Sequence, residues 1–234
     1  MSAASITKPK RPNPYADAPR LPEGEQVDPG QLVRPGLPLE IEIGPGRGGF
    51  LFERLAAVPE LSMLGFEIRR KYATLVDNKL KAQGLGERAR VFCEDARLAL
   101  PRLPAAAVQR VFVHFPDPWW KKRHEKRLVV GSTLLPEVVR VLCPGGELFV
   151  QTDVEDRALQ YEAAINAVPG LIAAASATHE TAAASSATYE TAAAPGNTGP
   201  RLAENPFFAR SPREHRAIKD GLPIYRLLYR KALG

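Results

Sequence analysis

Residues Leu39–Phe50 read LEIEIGPGRGGF. The first five form a short β-branched run, the pattern of a strand. Gly44-Pro45-Gly46-Arg47-Gly48-Gly49 follows at once, and residues 50–57, FLFERLAA, have helical spacing. Glycines at a strand-to-helix turn permit a tight reversal and let a ligand approach the backbone closely. In open α/β sheets ligands bind beyond the carboxyl ends of the strands, so this turn stands at the right end. Taken alone it fits binders of nucleotides, dinucleotides and adenosylmethionine equally.

Outward from this point strands and helices alternate. LSMLGFEI (61–68) reads as a second strand. RKYATLVDNKLKAQG (70–84) places Ala73, Val76 and Leu80 on one helical face and stops at a glycine. ARVFCED (89–95) is a third strand, followed by a short helix that Pro101 and Pro104 interrupt. VQRVFVHF (108–115) is a fourth strand, STLLPEVVRVL a helix with a proline in its path, and GELFVQTD (146–153) a fifth strand. EDRALQYEAAINAV (155–168) is helical, and PIYRLLYR (223–230) is a late strand added to the sheet. Strands separated by helices imply βαβ units: an α/β fold with a mainly parallel twisted sheet and helices on both faces.

Two segments stand apart. Residues 1–38 hold eight prolines and no periodic apolar pattern, so they read as an extended N-terminal arm preceding a domain over 39–234. Its segment KPKRP makes a basic tip that could touch phosphate or lie solvated. ATHETAAA (177–184) recurs as ATYETAAA (187–194), inside an Ala/Thr/Ser-rich stretch that ends in PGNTGP. Two copies are too few for a solenoid, and residues 173–203 read as an expanded surface loop in which His179 and Tyr189 carry no function.

Hydrophobic residues make up 44% and charged residues 25%, the balance of a soluble globular chain. No apolar run approaches the roughly 20 residues that span a bilayer, and the N-terminus lacks an apolar signal core. Cys93 and Cys143 have neither metal-ligand spacing nor a disulfide framework, so they are expected to be reduced core residues of a cytoplasmic protein, with no metal site. A net charge of +6 hints at a polyanionic partner, and the position of the charge decides whether the hint has content.

Three acids narrow the ligand. Glu42 lies in the first strand, two residues before the turn. Glu67 ends the second strand, roughly 20 residues on, where a carboxylate can take two ribose hydroxyls. Asp95 ends the third, where an adenine amino group would arrive. A phosphate-rich cofactor sits badly beside this negative charge, and there is no GxxxxGK[ST] for a nucleoside triphosphate. S-adenosyl-L-methionine carries a sulfonium and an ammonium and no phosphate, so it suits three carboxylates, with Gly44, Gly46 and Gly48 lining its turn.

The fourth strand leaves the core through HFPDPWWKKRHEKR (114–127). Prolines on both sides of Asp117 stiffen the loop and present the carboxylate at a defined angle. Trp119 and Trp120 offer a stacking face or a loop anchor. Lys121, Lys122, Arg123, Lys126 and Arg127 put five cations into seven residues, a supply of phosphate contacts.

On these motifs the chain resembles the tRNA guanine-N7 methyltransferases, which methylate a guanine of the tRNA variable loop (position 46). The resemblance covers roughly residues 39–168 and 204–230. It rests on EIGPGRGGF, GFEI, CEDA, the highly specific FPDPWWKKRHEKR, GGELFVQTD and the C-terminal SPREHRAIKDGLPIYR. It implies a Rossmann-like class I S-adenosylmethionine-dependent methyltransferase. Glu42, Glu67, Asp95 and Asp117 match the family's cofactor acids, the last also its suspected catalytic residue. Lys121 and Asp153 match its substrate-binding positions. Ser211-Pro212-Arg213-Glu214 aligns with its Thr-x-x-Glu pair, with serine for threonine and an added proline, so Ser211 and Glu214 are expected on the substrate side. The implied partner is tRNA, whose phosphates Lys122, Arg123, Lys126 and Arg127 would hold; a class I methyltransferase acting on a small molecule or a protein is the alternative. Whether the chain is a monomer or a homodimer is left open by the sequence.

Overall fold

A computed structural model describes residues 13–116, 129–174 and 199–233. Its elements in chain order are β1 (Leu39–Ile43), α1 (Gly49–Ala57), β2 (Ser62–Phe66), α2 (Arg70–Ala82), β3 (Ala89–Phe92), α3 (Ala96–Ala99) and β4 (Val108–His114). Then come α4 (Leu135–Val141), β5 (Leu142–Thr152), α5 (Glu155–Asn166), β6 (Leu171–Ala173), β7 (Arg201–Leu202), α6 (Pro212–Lys219) and β8 (Tyr225–Lys231). The sheet runs β3-β2-β1-β4-β5-β8-β6, with β7 also paired to β8. Strands β1 to β5 are mutually parallel, and β8 enters antiparallel between β5 and β6. The mainly parallel α/β sheet expected from the alternation is the one observed.

Side chains from both sheet faces are buried, as crossover helices on both sides require. On one face Phe50, Leu51 and Leu55 of α1 and Ala73, Val76 and Leu80 of α2 cover Met63, Val91, Phe112 and Phe149. On the other, Leu135, Val138 and Val141 of α4 and Tyr161 and Ile165 of α5 cover Ile41, Val111, Val113 and Val150. Leu21, Val27 and Val33 of the proline-rich arm belong to this second core, while Ala18 belongs to the first. The arm therefore crosses the β3 edge of the sheet. There the Cys93 N–H donates to the Pro19 carbonyl at 2.6 Å, and farther along the Val27 N–H donates to the Arg102 carbonyl at 2.8 Å.

The α1 face is layered along the strands. At the amino end Arg54 and Arg110 converge on the fully buried Glu40, and Glu147 joins Arg110 to Arg230 across β4, β5 and β8. Every carboxylate of this row is paired, which offsets a desolvation cost of several kcal/mol per buried ion. An aromatic layer follows, with Phe112 4.9 Å from Phe207 and 4.7 Å from Phe50.

Three details differ from the sequence reading. Pro136 occupies the first turn of α4, where its missing N–H would have no partner in any case, so it starts the helix instead of breaking it. Strand β5 begins at Leu142, with Gly145 in left-handed conformation and a register irregularity against Val108–Arg110. SPREHRAIK, not assigned to any element from periodicity, forms α6 because Ser211 caps it and Pro212 opens it.

Candidate active site at the carboxyl edge of the sheet

The glycine turn after β1 carries Gly44, Gly46 and Gly48 in left-handed conformation, with φ of 72°, 55° and 76°. At Gly46 this has a consequence: the backbone turns its N–H onto the Glu67 carboxylate at 2.9 Å. Open space lies where side chains on Gly44 and Gly46 would project, so the backbone is accessible on that side. Gly49 is needed for a different reason. A Cβ there would stand 2.4 Å from the Pro212 ring, because the N-termini of α1 and α6 meet at this point. Glycine turn and C-terminal SPRE motif, more than 160 residues apart in the chain, are thus neighbours.

Glu42 is 2% exposed, and one of its carboxyl oxygens has no partner among the described residues. Burial, reinforced by the neighbouring Glu67 charge and opposed by a hydrogen bond from the Leu51 N–H, raises its pKa to about 8. A proton therefore resides on Glu42 at neutral pH until a cation comes beside it. Glu67 directly follows β2 and accepts from the Gly46 and Arg69 N–H groups at 2.9 and 2.8 Å. Asp95 lies three residues beyond β3 and caps α3, accepting from the Arg97 N–H at 3.0 Å. The Arg97 guanidinium bonded to it holds its carboxyl below the usual range. The three acids do reach successive strand ends, as expected, and each already accepts from a protein donor.

Asp153 follows β5 and is paired with Arg213 of α6 through Nε at 2.9 Å. Ser211 is the N-cap of α6, its hydroxyl accepting from the Glu214 N–H at 3.1 Å. Glu214 is fully buried, its carboxylate held by Asn205 at 2.9 Å and by Arg226 at 3.1 Å. Of the two positions expected on the substrate side, Ser211 caps α6, and Glu214 ties α6 to β8 and to the loop before it. Asp117, Trp119, Trp120, Lys121, Lys122, Arg123, Lys126 and Arg127 lie outside the described residues, as do His179 and Tyr189.

One pair escaped the sequence reading. His114, the last residue of β4, sits opposite Gln151 of β5, and their Nδ1 and Oε1 atoms are 2.9 Å apart. Since the amide oxygen only accepts, the proton is on Nδ1, which leaves the buried Nε2 and the Gln151 amide nitrogen without partners among the described residues. Burial lowers the His114 pKa to about 4, so the ring is neutral. Period-two alternation along VQRVFVH, which puts residue 114 on the face of Arg110 and Phe112, was the available signal. Beyond it Phe115 turns left-handed, φ 45°, while its N–H bonds the Gln151 carbonyl at 2.8 Å. The strand thus leaves the core through a strained residue just before Pro116 and Asp117.

A mostly parallel sheet covered on both faces, with a glycine turn and three carboxylates along one carboxyl edge, defines a Rossmann-like class I methyltransferase fold. Among solved structures, that of the [4+2]-cyclase SpnF shares the fold, with a TM-score of 0.53, 16% identity, and coverage of 88% of this chain and 79% of that one. The Methyltransf_4 family, described as "Putative methyltransferase", matches residues 37–198. A tRNA (guanine-N(7)-)-methyltransferase of Microcystis aeruginosa is 33% identical over 82% of each chain. Another, of Parasynechococcus marenigrum, is 34% identical over 87% of this chain and 79% of its own. The chain belongs to the tRNA (guanine-N7)-methyltransferase family.

Proposed function

We propose that the protein transfers a methyl group from S-adenosyl-L-methionine to N7 of a guanine in tRNA, the variable-loop guanine at position 46. The observation that carries this reading is the buried Glu42 with its unpaired oxygen, beside a glycine backbone open to a ligand. A buried acid that has no cation beside it among the described residues fits one that binds a cation from outside. Acids and accessible backbone without a phosphate cradle fit a sulfonium cofactor, and the same edge continues into FPDPWWKKRHEKR after β4.

Bound there, S-adenosyl-L-methionine supplies an electrophilic methyl group on a sulfonium. Glu42 faces the cationic end, Glu67 takes the ribose and Asp95 the adenine edge, using the lone pairs that their backbone donors leave free. Gly44, Gly46 and Gly48 keep side chains out of the way. Guanine N7 has an available lone pair, so no general base is required; the protein has to orient the ring and offset the positive charge that methylation places on it. Asp117, held between prolines, accepts from the guanine N1/N2 edge and does both. Lys121 and Asp153 flank the base, and Ser211 and Glu214 fix α6 behind it. Lys122, Arg123, Lys126 and Arg127 hold the RNA backbone. The base has to leave its stack to be reached, and Trp119 and Trp120 replace part of the lost stacking.

Incubation of the protein with unmodified tRNA and labelled adenosylmethionine, followed by cleavage at N7-methylguanosine, reads reaction, base and position together. Asp117→Ala is expected to slow transfer by about a hundredfold or more while tRNA affinity changes little. Full activity of that variant would remove Asp117 from the chemistry. Label appearing only on a small molecule or protein in the presence of competing bulk tRNA would overturn the substrate.

A further inference from the structure

Buried polar atoms without partners are rare in a folded chain, and in this one they gather at one place. Among the described residues they are Glu42 Oε2, His114 Nε2, the Gln151 amide nitrogen and the Tyr229 hydroxyl. The first three stand on the α1 face, at the carboxyl ends of the adjacent strands β1, β4 and β5, whereas Tyr229 belongs to the opposite core. Register sets Glu42 opposite Phe112, so His114 lies one pleat nearer the glycine turn, and Gln151 is level with it. The first turn of α1 covers them together: the Leu51 N–H donates to Glu42, and the Phe50 ring is 4.1 Å from the His114 ring.

The fold is able to pair polar groups on these strands. Farther back along the same face, Glu40 and Glu147 are matched by Arg54, Arg110 and Arg230. Around His114 and Gln151 the neighbours have the wrong chemistry. Phe50, Phe112 and Phe149 surround the imidazole, with centroids at 4.1, 5.7 and 5.9 Å. Arg226 of β8 is level with Gln151, but a guanidinium only donates, and it is taken up by Glu214 and the Ala203 carbonyl. Because His114 keeps its proton on Nδ1 for Gln151 Oε1, the pair offers an acceptor at Nε2 beside a donor at the amide nitrogen. Leaving both unmade is costly to folding, and a ligand that brings the missing donor and acceptor removes that cost.

We propose that His114 and Gln151 bind the amino-acid end of S-adenosyl-L-methionine: His114 Nε2 accepts from the α-ammonium, beside Glu42, and the Gln151 amide donates to the α-carboxylate. An amino-acid zwitterion carries a donor and an acceptor on one carbon, which is the pattern the pair presents. A guanine edge also sets a donor beside an acceptor, but it brings no cation for Glu42. The role requires a neutral imidazole, and burial keeps it so. Open space beside the Gly44 and Gly46 backbone gives the cofactor its approach to this row. The inference rests on the cofactor reading above and adds to it two residues outside the glycine turn and the strand-end acids.

S-adenosylhomocysteine and methylthioadenosine share the adenosine and the thioether and differ in the amino-acid group, so comparing them locates the contact. In His114→Phe/Gln151→Met, apolar side chains of similar shape replace the pair and remove both unpartnered atoms. Without ligand, the thermal midpoint of this variant should equal or exceed that of the wild type. Its calorimetric Kd for S-adenosylhomocysteine should rise about thirtyfold, with that for methylthioadenosine unchanged. His114→Asn keeps a donor for Gln151 Oε1 but loses Nε2, and should weaken S-adenosylhomocysteine alone by about tenfold. Equal weakening of both nucleosides in both variants would reduce the pair to a structural role and overturn the assignment. Unchanged affinity for S-adenosylhomocysteine with a raised KM for tRNA would overturn it as well, and give the pair to the base. Wild-type protein that binds neither nucleoside would overturn the cofactor reading itself.

Discussion

Glu42 shows how one side chain couples the site to the stability of the fold. Its carboxyl has a pKa of about 8 when folded and 4.5 when free, so between these values the folded chain holds a proton that the unfolded chain has released. Stability is therefore lost as pH rises from about 4.5 to about 8, and stays lost above that. Glu42→Gln should be more stable than the wild type in urea unfolding, with a gain that is small at pH 5 and largest at pH 9, and should lose affinity for adenosylmethionine. An offset that does not vary with pH would mean that the carboxyl is not strained. His114 acts in the opposite sense: with a folded pKa of about 4 against 6.5, it withholds stability as pH falls through that window. Glu42 was legible from its place two residues before a glycine turn. His114 was not, because what singles it out is a pairing with Gln151 that only the β4–β5 register creates.

At the scale of elements, helix ends decide the site. Ser211 and Pro212 are an N-cap and a first-turn proline, local signals sufficient to start α6. Where α6 starts in space is set by Gly49. Alanine there would favour α1 by helix propensity, but its Cβ, 2.4 Å from Pro212, cannot be accommodated without moving one helix. Gly49→Ala is expected to cost about 2 kcal/mol, seen as a lowered thermal midpoint, and to weaken methyl transfer further by shifting α6. Adding Pro212→Ala should recover most of the loss; no recovery would show that the strain lies elsewhere. Glu214 belongs to the same scale. The family resemblance implies a role on the substrate side, and in the fold its buried carboxylate, bonded to Asn205 and Arg226, ties α6 to β8.

For the molecule as a whole, the arm is the least expected part. Eight prolines in residues 1–38 read as an extended tail, yet within its described part Leu21, Val27 and Val33 lie in the core and Pro29–Gln31 form a single 3-10 turn. Proline-rich chain is well suited to this, since it covers the β3 edge while presenting few free N–H groups to a further strand. Deleting residues 1–27 should remove about 3 kcal/mol of stability in urea unfolding, after the entropy regained by the freed segment, and should promote association through the bared edge. Unaltered stability would mean that the arm only rests on the surface. The described residues contain no helix long and apolar enough to cross a membrane.

The sequence by itself determined the alternation of strands and helices, the glycine turn, the acids at strand ends and the family motifs, because each is a short-range pattern set by backbone sterics and by period-two or helical spacing. Only the tertiary structure decided that the glycine turn meets SPRE, that Glu42 is left with an oxygen unpaired among the described residues, and that Glu214 is a buried anchor. Those are outcomes of packing, in which residues far apart in the chain compete for the same volume and the same hydrogen-bond donors, and no local pattern encodes who wins.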